Sequence, residues 1–279
     1  MGCIITLVFI GALDDKYDIS YKIRFLIQAI LSLIMMVHAN IELLGLGDLF
    51  GFGLVKLGPT GYIVTVLAVI GAINAFNMID GIDGLLGAIS IVAFGGLGIM
   101  LLHDGQTNLA YLCLVIVIII APYLMLNLGI FGRKYKIFMG DAGSMLVGFS
   151  IIWLLLLSSQ NGTNPPLRPV TALWLIAVPL MDMVSLMIRR IRKGHSPFKP
   201  DREHLHHICQ RLGFSASQTV ILITGLATTL AALGIIGEIL NIHEAWMFYS
   251  FIILFLIYIF TISYIWKITA LIRKYRVNK

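Results

Sequence analysis

Charged residues are scarce in this sequence. Asp, Glu, Lys and Arg together make up 12% of its 279 residues, whereas an ordinary soluble domain contains about 25%. Hydrophobic residues make up 59%. This balance excludes an ordinary soluble globular domain and indicates an integral membrane protein.

Cysteine is also rare, and long polar segments are few. The three cysteines, Cys3, Cys113 and Cys209, have no paired spacing, so the sequence predicts no disulfide framework. It contains no fixed-period repeat and no low-complexity stretch. The longest polar segment, 189–218, is too short for a separate soluble domain. We therefore predict one transmembrane domain over 1–279, with this segment as a His- and Arg-rich loop within it.

Apolar runs of 16 to 22 residues recur along nearly the whole chain. Each approaches the ~20 residues that an α-helix needs to cross a hydrocarbon core. A ninth run, 1–13, is too short to cross, and we interpret it as the last part of a helix. The predicted fold is all-α: a polytopic helical bundle of about eight full spans plus a truncated first one. The eight full runs are 23–39, 61–76, 84–102, 108–128, 144–160, 170–188, 219–240 and 245–266.

The basic residues lie almost entirely on one side of the predicted bundle. When successive loops are assigned alternately to two sides, one side carries 18 Lys and Arg residues and the other carries two, Lys56 and Arg168. Because loops rich in Lys and Arg face the cytoplasm, the richer side is predicted to be cytoplasmic. The net charge of +6 then reflects topology and contact with the lipid bilayer, and we expect no nucleic-acid partner.

Three acidic clusters lie on the predicted cytoplasmic side, where spans end. They are LDDKYD with Asp14 and Asp15, DGIDG with Asp80 and Asp83, and FMGDAGS with Asp141. Each alone fits surface charge, a tight turn or a helix cap, and a helical DGIDG turn would place its two carboxylates on one face. Together they would repel one another unless a cation lay between them. Hard oxygen ligands without cysteine favour Mg²⁺ or Mn²⁺ bound with substrate phosphates, so the clusters indicate phosphate chemistry.

The loop at 189–218 contains a predicted helix. From Asp201 to Leu212 the sequence allows about three turns, with Asp201 as the N-cap and Glu203 in the first turn. Gly213 is the predicted stop.

Imidazole and guanidinium groups are concentrated in this predicted helix. Arg202, His204, His206 and His207 fit either a solvated helix face or an anion-binding surface. A zinc site that uses Cys209 lacks a fourth ligand at motif spacing. Beside a diphosphate, cationic side chains favour the anion-binding interpretation.

Four motifs follow one another along the chain: GALDDKYDIS, NAFNMIDGIDGLLG, FMGDAGSMLVGF and SPFKPDREHLHH. Together they resemble the polyprenyl-phosphate N-acetylhexosamine-1-phosphate transferases over nearly the whole chain. The resemblance implies transfer of GlcNAc-1-phosphate from UDP-GlcNAc to undecaprenyl phosphate, with release of UMP and with Mg²⁺ or Mn²⁺ as cofactor. It also implies a bacterial inner (cytoplasmic) membrane protein, an active site that faces the cytoplasm, and the first step of a lipid-linked surface glycan such as enterobacterial common antigen, O-antigen or lipopolysaccharide.

The functional residues of that family fall on positions of these motifs. The resemblance makes Asp14 and Asp15 the catalytic acidic pair associated with the lipid phosphate or its deprotonation. It makes Asp141 the metal ligand and a catalytic residue, and Phe138 the aromatic side chain that stacks on uracil. The other substrate-binding positions that it implies are Asn74, Asn77, Asp80, Asp83, Arg202, His204, His206 and His207.

Several alternatives stay open. The motif DREHLHH resembles the UDP-GlcNAc branch more than the MurNAc-pentapeptide branch, which carries a continuous triple histidine followed by Phe-Glu. A single in-line displacement is the expected chemistry, with a covalent aspartyl-phosphate route as the alternative. A transporter or flippase would need ionisable groups near the midplane; Asp182 is the one candidate, or else it is a hydrogen-bond partner between helices. The oligomeric state, including a homo-oligomer, also stays open.

The start of the chain departs from the family pattern. Family members usually begin with two further helices joined by a cytoplasmic loop that bears a basic and Gly-Gly motif. Nothing before Met1 supplies these helices, so we expect the chain to be N-terminally incomplete. That loop borders the site in relatives, so the activity of this chain by itself stays open.

Overall fold

The computed structural model is an all-helical bundle. It describes residues 2–160, 165–198 and 203–277, with side chains as far as residue 265. These ranges contain eleven α-helices, one 3₁₀ turn at Arg133–Tyr135 and no strand. The helices are α1 (Gly2–Tyr17), α2 (Tyr21–Ala39), α3 (Thr60–Ile79), α4 (Leu85–His103), α5 (Thr107–Asn127), α6 (Gly140–Gln160), α7 (Pro169–Leu175), α8 (Ala177–Arg192), α9 (Leu205–Arg211), α10 (Ala216–Ile239) and α11 (Glu244–Val277).

Seven helices in the described part of the chain are long and apolar enough to cross a membrane, namely α2 to α6, α10 and α11. The pair α7 and α8, which is bent by 83° at its junction, brings the number to eight when it is counted as one span. The predicted all-α polytopic bundle is therefore confirmed. The connection between α2 and α3 is irregular, as its many glycines indicate, with one isolated bridge between Gly45 and Lys56.

The predicted span 170–188 is not one straight helix, so that expectation is wrong. α7 ends at Leu175 and α8 begins at Ala177, while Ile176 between them has φ −115° and ψ 25°. Pro179 provides a physical reason. It has no N–H to donate to the carbonyl of Leu175, and its ring clashes with that carbonyl in a continuous helix. The apolar composition continues across the break and therefore hides it.

The helix predicted over 201–212 is wrong at its start. α9 covers only Leu205–Arg211, and Glu203 precedes it instead of lying in its first turn. Asp201, the predicted N-cap, lies outside the described residues. The predicted stop is correct, because Gly213 has a φ of +100°, a left-handed conformation that commonly ends helices.

α6 packs closely against both α1 and α3. A Cβ on Gly11 of α1 would lie 2.5 Å from the backbone nitrogen of Ala142 in α6. A Cβ on Gly148 of α6 would lie 2.7 Å from the Cα of Ile73 in α3. Such distances are too short for a side chain, so both contacts depend on glycine. The close packing brings the ends of α1 and α3 and the start of α6 to one rim of the bundle.

Two hydrophobic clusters fill the interior. One joins α1, α2, α3 and α6 around Leu31, Ile73 and Phe149. The other extends over α3 to α11 and includes Phe94 and Leu175. Large apolar side chains on the outer faces of α2, α5, α10 and α11 are exposed, which suits contact with lipid.

Candidate active site

Asp141 lies in the first turn of α6, at the rim where α1, α2 and α3 meet. Its Oδ1 accepts a hydrogen bond from Nδ2 of Asn77 on α3 at 2.7 Å, and its Oδ2 lies 3.4 Å from Nη1 of Arg24 on α2. Asn77 also contacts the buried hydroxyl of Ser144 at 2.9 Å. An amide and a guanidinium from two different helices therefore hold the Asp141 carboxylate.

The two adjacent aspartates at the end of α1 have different environments. Asp14 is buried, forms an ion pair with Arg24 and accepts the N–H of Ile19 at 2.8 Å. Asp15 is exposed, and its carboxylate accepts the N–H of Asp141 at 2.8 Å, with a longer contact of 3.5 Å to the next N–H. Asp15 therefore caps the N-terminus of α6, where the helix dipole favours a negative charge.

A polar cavity of about 300 Å³ opens beside these groups. It is lined by residues from the end of α3, the following turn and the segment that leads into α6. The predicted site residues Asn77, Asp80, Asp83, Phe138 and Asp141 all line it. The structure thus brings together five positions that the sequence places in two separate motifs.

The turn from Asp80 to Gly84 is not helical, so the helical geometry that would place Asp80 and Asp83 on one face is not formed. Gly84 has a φ of +87°, which favours glycine. Asn127, at the end of α5, accepts the N–H of Gly84 and donates to the carbonyl of Ile137 at 2.7 Å. This side chain joins both walls of the polar cavity. Sequence reasoning missed it, because a lone Asn at the end of an apolar run carries no motif.

Negative charge accumulates around the polar cavity. Burial, followed by the negative charges of Asp141, Asp83 and Asp15, raises the pKa of Asp80 to about 6. Lys136 forms an ion pair with Asp83 and offsets part of this charge. A divalent cation in the cavity would relieve the remaining repulsion.

The donor chemistry of the cavity fits a hard divalent cation together with further ligands. Among the residues that the structure describes, no three His, Cys, Asp or Glu side chains form a complete metal cluster. Mg²⁺ usually keeps several waters and binds through one or two carboxylates plus substrate phosphates. Asp141 and Asp80, which both line the cavity, provide such a partial set of ligands.

The three histidines of the loop lie close together beside the DGIDG turn. The rings of His204 and His206 stack with centroids 5.5 Å apart, and the His207 ring lies 4.2 Å from that of His206. His206 packs directly against Gly81, and a side chain at Gly81 would collide with this ring. The predicted histidine and aspartate motifs therefore meet at Gly81.

His206 is only 2% exposed, and neither of its ring nitrogens has a partner among the described residues. Burial, followed by the neighbouring His207 and His204, lowers the pKa of His206 to about 4. Its imidazole is therefore neutral at pH 7, with one donor and one acceptor nitrogen. Arg202, which the sequence predicts beside it, lies outside the described residues.

A second cavity, of about 690 Å³, lies between α2, α3 and α8 and is mostly apolar. Its walls include Leu67, Ile70, Met183 and Met187. Asn77 lines this apolar cavity as well as the polar one, so the two spaces meet at one side chain. The other amide, guanidinium and imidazole groups that line it belong to Arg24, Asn74, Arg190 and His204.

Asn74 lies apart from the other residues of its motif. It lines the apolar cavity, and its Nδ2 donates to Oε1 of Gln28 and to the carbonyl of Ile70, each at 2.8 Å. Gln28 is 1% exposed. This amide pair joins α2 to α3 inside the bundle and shapes the apolar cavity.

The fold and its two cavities define a multi-pass membrane protein in which a carboxylate-rich cavity lies beside an apolar one at one rim of the spans. Residues 1–159 match the model of glycosyl transferase family 4. The chain belongs to this family, and the resemblance predicted from the four motifs is confirmed.

Relatives of known name match almost the whole chain. The undecaprenyl-phosphate alpha-N-acetylglucosaminyl 1-phosphate transferase of Escherichia coli is 51% identical over 275 residues, which cover 98% of this chain and 75% of the relative. The proteins of the same name from Yersinia pestis and Haemophilus influenzae are 50% and 52% identical over 277 and 272 residues. These matches cover 99% and 97% of this chain and 76% of each relative.

Proposed function

We propose that the protein transfers GlcNAc-1-phosphate from UDP-GlcNAc to undecaprenyl phosphate, forming GlcNAc-diphospho-undecaprenol and releasing UMP. The observation that carries this proposal is the junction of the polar and apolar cavities at Asn77. A water-soluble nucleotide sugar and a lipid phosphate need chemically different spaces that meet where their phosphates react. The names of the relatives give the same acceptor and the same sugar.

In this proposal the apolar cavity binds the acceptor lipid. Its hydrocarbon walls suit a polyprenyl chain, and Arg24 and Arg190 supply guanidinium groups, which bind phosphate oxygens well. Arg24 lies 3.4 Å from Asp141. An acceptor phosphate held by Arg24 would therefore lie beside the carboxylate that borders the polar cavity.

The polar cavity binds the nucleotide sugar in this proposal. Phe138 is 74% exposed at the cavity edge, so its ring face is open for stacking on uracil. The neutral His206 beside Gly81 offers hydrogen bonds from nitrogens that have no protein partner in the described ranges. The residues that we assign to the nucleotide sugar are Asn77, Asp80, Asp83, Phe138, Arg202, His206 and His207.

A divalent cation completes the site that we propose. Asp141 is the proposed ligand of Mg²⁺ or Mn²⁺, with Asp80 as a second carboxylate and the donor phosphates as the remaining ligands. The raised pKa of Asp80 supports this assignment, because crowded carboxylates favour a cation between them. When bound, the ion would neutralise charge on the diphosphate.

The proposed chemistry is a single in-line displacement at the sugar-linked phosphorus. The acceptor phosphate oxygen attacks and UMP leaves, so the protein acts mainly by positioning and charge stabilisation. Asn77 and Arg24 orient Asp141, and the buried Asp14 holds Arg24. Asp15 is the proposed acceptor of a proton from a monoanionic lipid phosphate; the second phosphate pKa near 6 makes that step dispensable at pH 7.

We also propose that the site faces the cytoplasm from a bacterial inner membrane. The imbalance of 18 basic residues to two supports this orientation, because the site carboxylates lie on the richer side. A transporter has less support. Asp182 accepts hydrogen bonds from Leu205 and Tyr258 and contacts His204, as an interhelical partner does.

The direct test is an assay of UMP release. We expect the purified full-length protein, in lipid nanodiscs with undecaprenyl phosphate, to release UMP from UDP-GlcNAc in the presence of Mg²⁺ and to stop when EDTA is added. UDP-MurNAc-pentapeptide should give no product. Absence of metal-dependent UMP release from UDP-GlcNAc contradicts the proposed function. Labelled phosphate trapped on the protein without acceptor lipid would favour the covalent route over direct displacement.

A matched pair of variants locates the reaction. Asp141→Asn should lower turnover at least about 100-fold, because it removes a charge at the reacting phosphates. Asp104→Asn is the control, because Asp104 is exposed in the connection between α4 and α5 on the opposite side. Substantial UMP release by the Asp141 variant at ordinary Mg²⁺ would remove Asp141 as the metal ligand.

A further inference from the structure

Asp182 is a buried carboxylate that lies outside both cavities. It is on α8, is 2% exposed and contacts three groups from two other segments. Its Oδ1 accepts the N–H of Leu205 at 3.0 Å and the hydroxyl of Tyr258, on α11, at 2.9 Å. Its Oδ2 lies 2.9 Å from Nδ1 of His204. Burying a charge costs free energy unless hydrogen bonds compensate for it, and these three contacts do so. The same contacts constrain the groups that make them.

The consequence for His204 is a fixed tautomer. An ionised carboxylate only accepts hydrogen bonds, so Nδ1 of His204 carries the hydrogen that points at Asp182. Nε2 is then the ring nitrogen left for a ligand. His204 lines the apolar cavity together with Arg24 and Arg190, where the proposed acceptor phosphate lies.

The backbone around His204 has further attachments to α8. Nη2 of Arg189 donates to the carbonyl of Glu203 at 2.7 Å, and the Glu203 carboxylate pairs with Arg189 and Lys193. The segment is therefore held even when Asp182 is changed. Because these contacts do not involve Asp182, a substitution at Asp182 tests its effect on the His204 imidazole separately from its effect on folding.

We propose that Asp182, supported by Tyr258, is a positioning residue for the transfer: it fixes the ring orientation and tautomer of His204, so that Nε2 meets an oxygen of the acceptor phosphate. The proposal rests on the proposed function for the identity of that phosphate. A neutral Nε2 accepts from a protonated phosphate oxygen, and a protonated Nε2 donates to an ionised one. In both forms the contact requires that Nδ1, and not Nε2, faces Asp182.

Asp182→Asn changes the tautomer with little change in shape. The amide oxygen can keep the bonds from Leu205 and Tyr258, so its NH₂ group faces His204 and can only donate. Nδ1 must then accept, and the hydrogen moves to Nε2. In this tautomer Nε2 cannot accept from a protonated phosphate oxygen, and the ring has lost the carboxylate that stabilises its protonated, more strongly donating form. We expect kcat to fall at least about 10-fold, the scale that is known for outer partners of metal-ligating histidines, with the KM for UDP-GlcNAc unchanged within about 2-fold and an unchanged unfolding temperature.

The tautomer is read directly by ¹⁵N NMR of histidine-labelled protein in nanodiscs. The His204 signal, assigned by its loss in His204→Gln, should show hydrogen on Nδ1 in the wild type and on Nε2 in Asp182→Asn. This measurement needs no substrate. If the wild type released no UMP, the proposed function would be contradicted, but the tautomer measurement could still be made.

Tyr258→Phe provides a second variant in case Asp182→Asn does not fold. It removes one hydrogen bond to the carboxylate and keeps the ring, so we expect about a 3- to 10-fold loss of kcat. Tyr249→Phe on the same helix is the matched control. Within the described part of the chain the Tyr249 hydroxyl has one hydrogen bond, to the carbonyl of Phe50 at 3.4 Å, so activity should not change.

Three results would overturn the proposal. The first is a wild-type His204 with hydrogen on Nε2. The second is full kcat in both Asp182→Asn and Tyr258→Phe. The third is a loss of activity that follows a lower unfolding temperature while the tautomer stays unchanged, which would make Asp182 a purely structural residue.

Discussion

Neighbouring residues of the same type can have different roles, as Asp14 and Asp15 illustrate. A helix turns by about 100° per residue, so one carboxylate points to Arg24 inside the bundle and the other to the start of α6. The sequence predicts the acidic pair as a unit. It could not separate the two, because their partners lie on other helices.

Asp15 has two roles that substitution can separate. Asp15→Ala removes the helix cap and should lower the free energy of unfolding by about 1 kcal/mol. Asp15→Asn retains an oxygen that accepts the N–H of Asp141, so its stability should match that of the wild type. If Asp15 takes the proton of the acceptor phosphate, Asp15→Asn should still lower UMP release below pH 6. Full activity of Asp15→Asn at all pH values would leave Asp15 as a cap alone.

The raised pKa of Asp80 links stability to pH. The carboxyl group titrates near 3.8 in the unfolded chain and near 6 in the folded protein, so the folded state binds this proton more tightly. The resulting stabilisation is complete below about pH 4 and is lost as the pH rises through 6. The charges of Asp141, Asp83 and Asp15 make the ionised folded state unfavourable.

Asp80→Asn should remove this dependence. Without divalent cations, the variant should be more stable than the wild type at pH 7.5, by on the order of 1 kcal/mol after solvent screening, and the two should converge near pH 4. Thermal unfolding in EDTA at several pH values measures the difference, and Mg²⁺ should reduce it. Asp104→Asn serves as the control. If the unfolding temperatures of the wild type and Asp80→Asn changed in parallel with pH, this explanation would be refuted.

At the scale of helices, the lengths of the apolar runs predicted where the membrane-spanning helices lie, but they did not predict where a helix bends. The apolar runs place the ends of the spans close to the observed ends, because burying a helix in lipid requires a nearly constant length. The bend at Ile176 was missed, since lipid-compatible composition is the same on both sides of it. Local geometry at Pro179 decides the bend, and average hydropathy does not contain it.

Amino-acid composition does not reveal close helix packing either, and a substitution at Gly11 tests the packing of α1 against α6. Gly11→Ala should push α1 away from α6, lower the free energy of unfolding by about 1 to 3 kcal/mol and reduce UMP release by displacing Asp15. Gly95→Ala in α4 is the matched control, because no heavy atom lies within 4 Å of the added Cβ, and better helix propensity should leave it neutral or slightly stabilised. Equal effects of the two substitutions would contradict the packing argument.

At the scale of the whole molecule, charge distribution was the most informative part of the sequence. It assigned the acidic motifs to one side, and the structure brings Asp80, Asp83 and Asp141 to one cavity. The contribution of Asn127 could not be predicted, and the sequence offered Asp182 only as a hydrogen-bond partner between helices, without naming its partners. Both act through contacts between segments far apart in the chain, which no local pattern reports.

The orientation in the membrane gives a prediction for the intact protein. In a background with Cys3→Ser, Cys113→Ser and Cys209→Ser, a membrane-impermeant maleimide applied to spheroplasts should label Lys56→Cys and not Lys134→Cys. Both positions are exposed, so access depends on the side of the membrane. Permeabilised cells should show labelling at both positions. The opposite pattern would place the site outside the cytoplasm.

The meeting of the polar and apolar cavities at Asn77 has a consequence for how catalysis must be measured. On the proposed function, the two substrates arrive from different phases, one dissolved in water and one confined to a two-dimensional film. The half-saturating amount of donor is then a molar concentration, whereas that of acceptor is a mole fraction among the surrounding lipids. Adding inert lipid at constant bulk volume should slow the reaction by surface dilution, as though acceptor had been withdrawn, while the donor dependence stays the same.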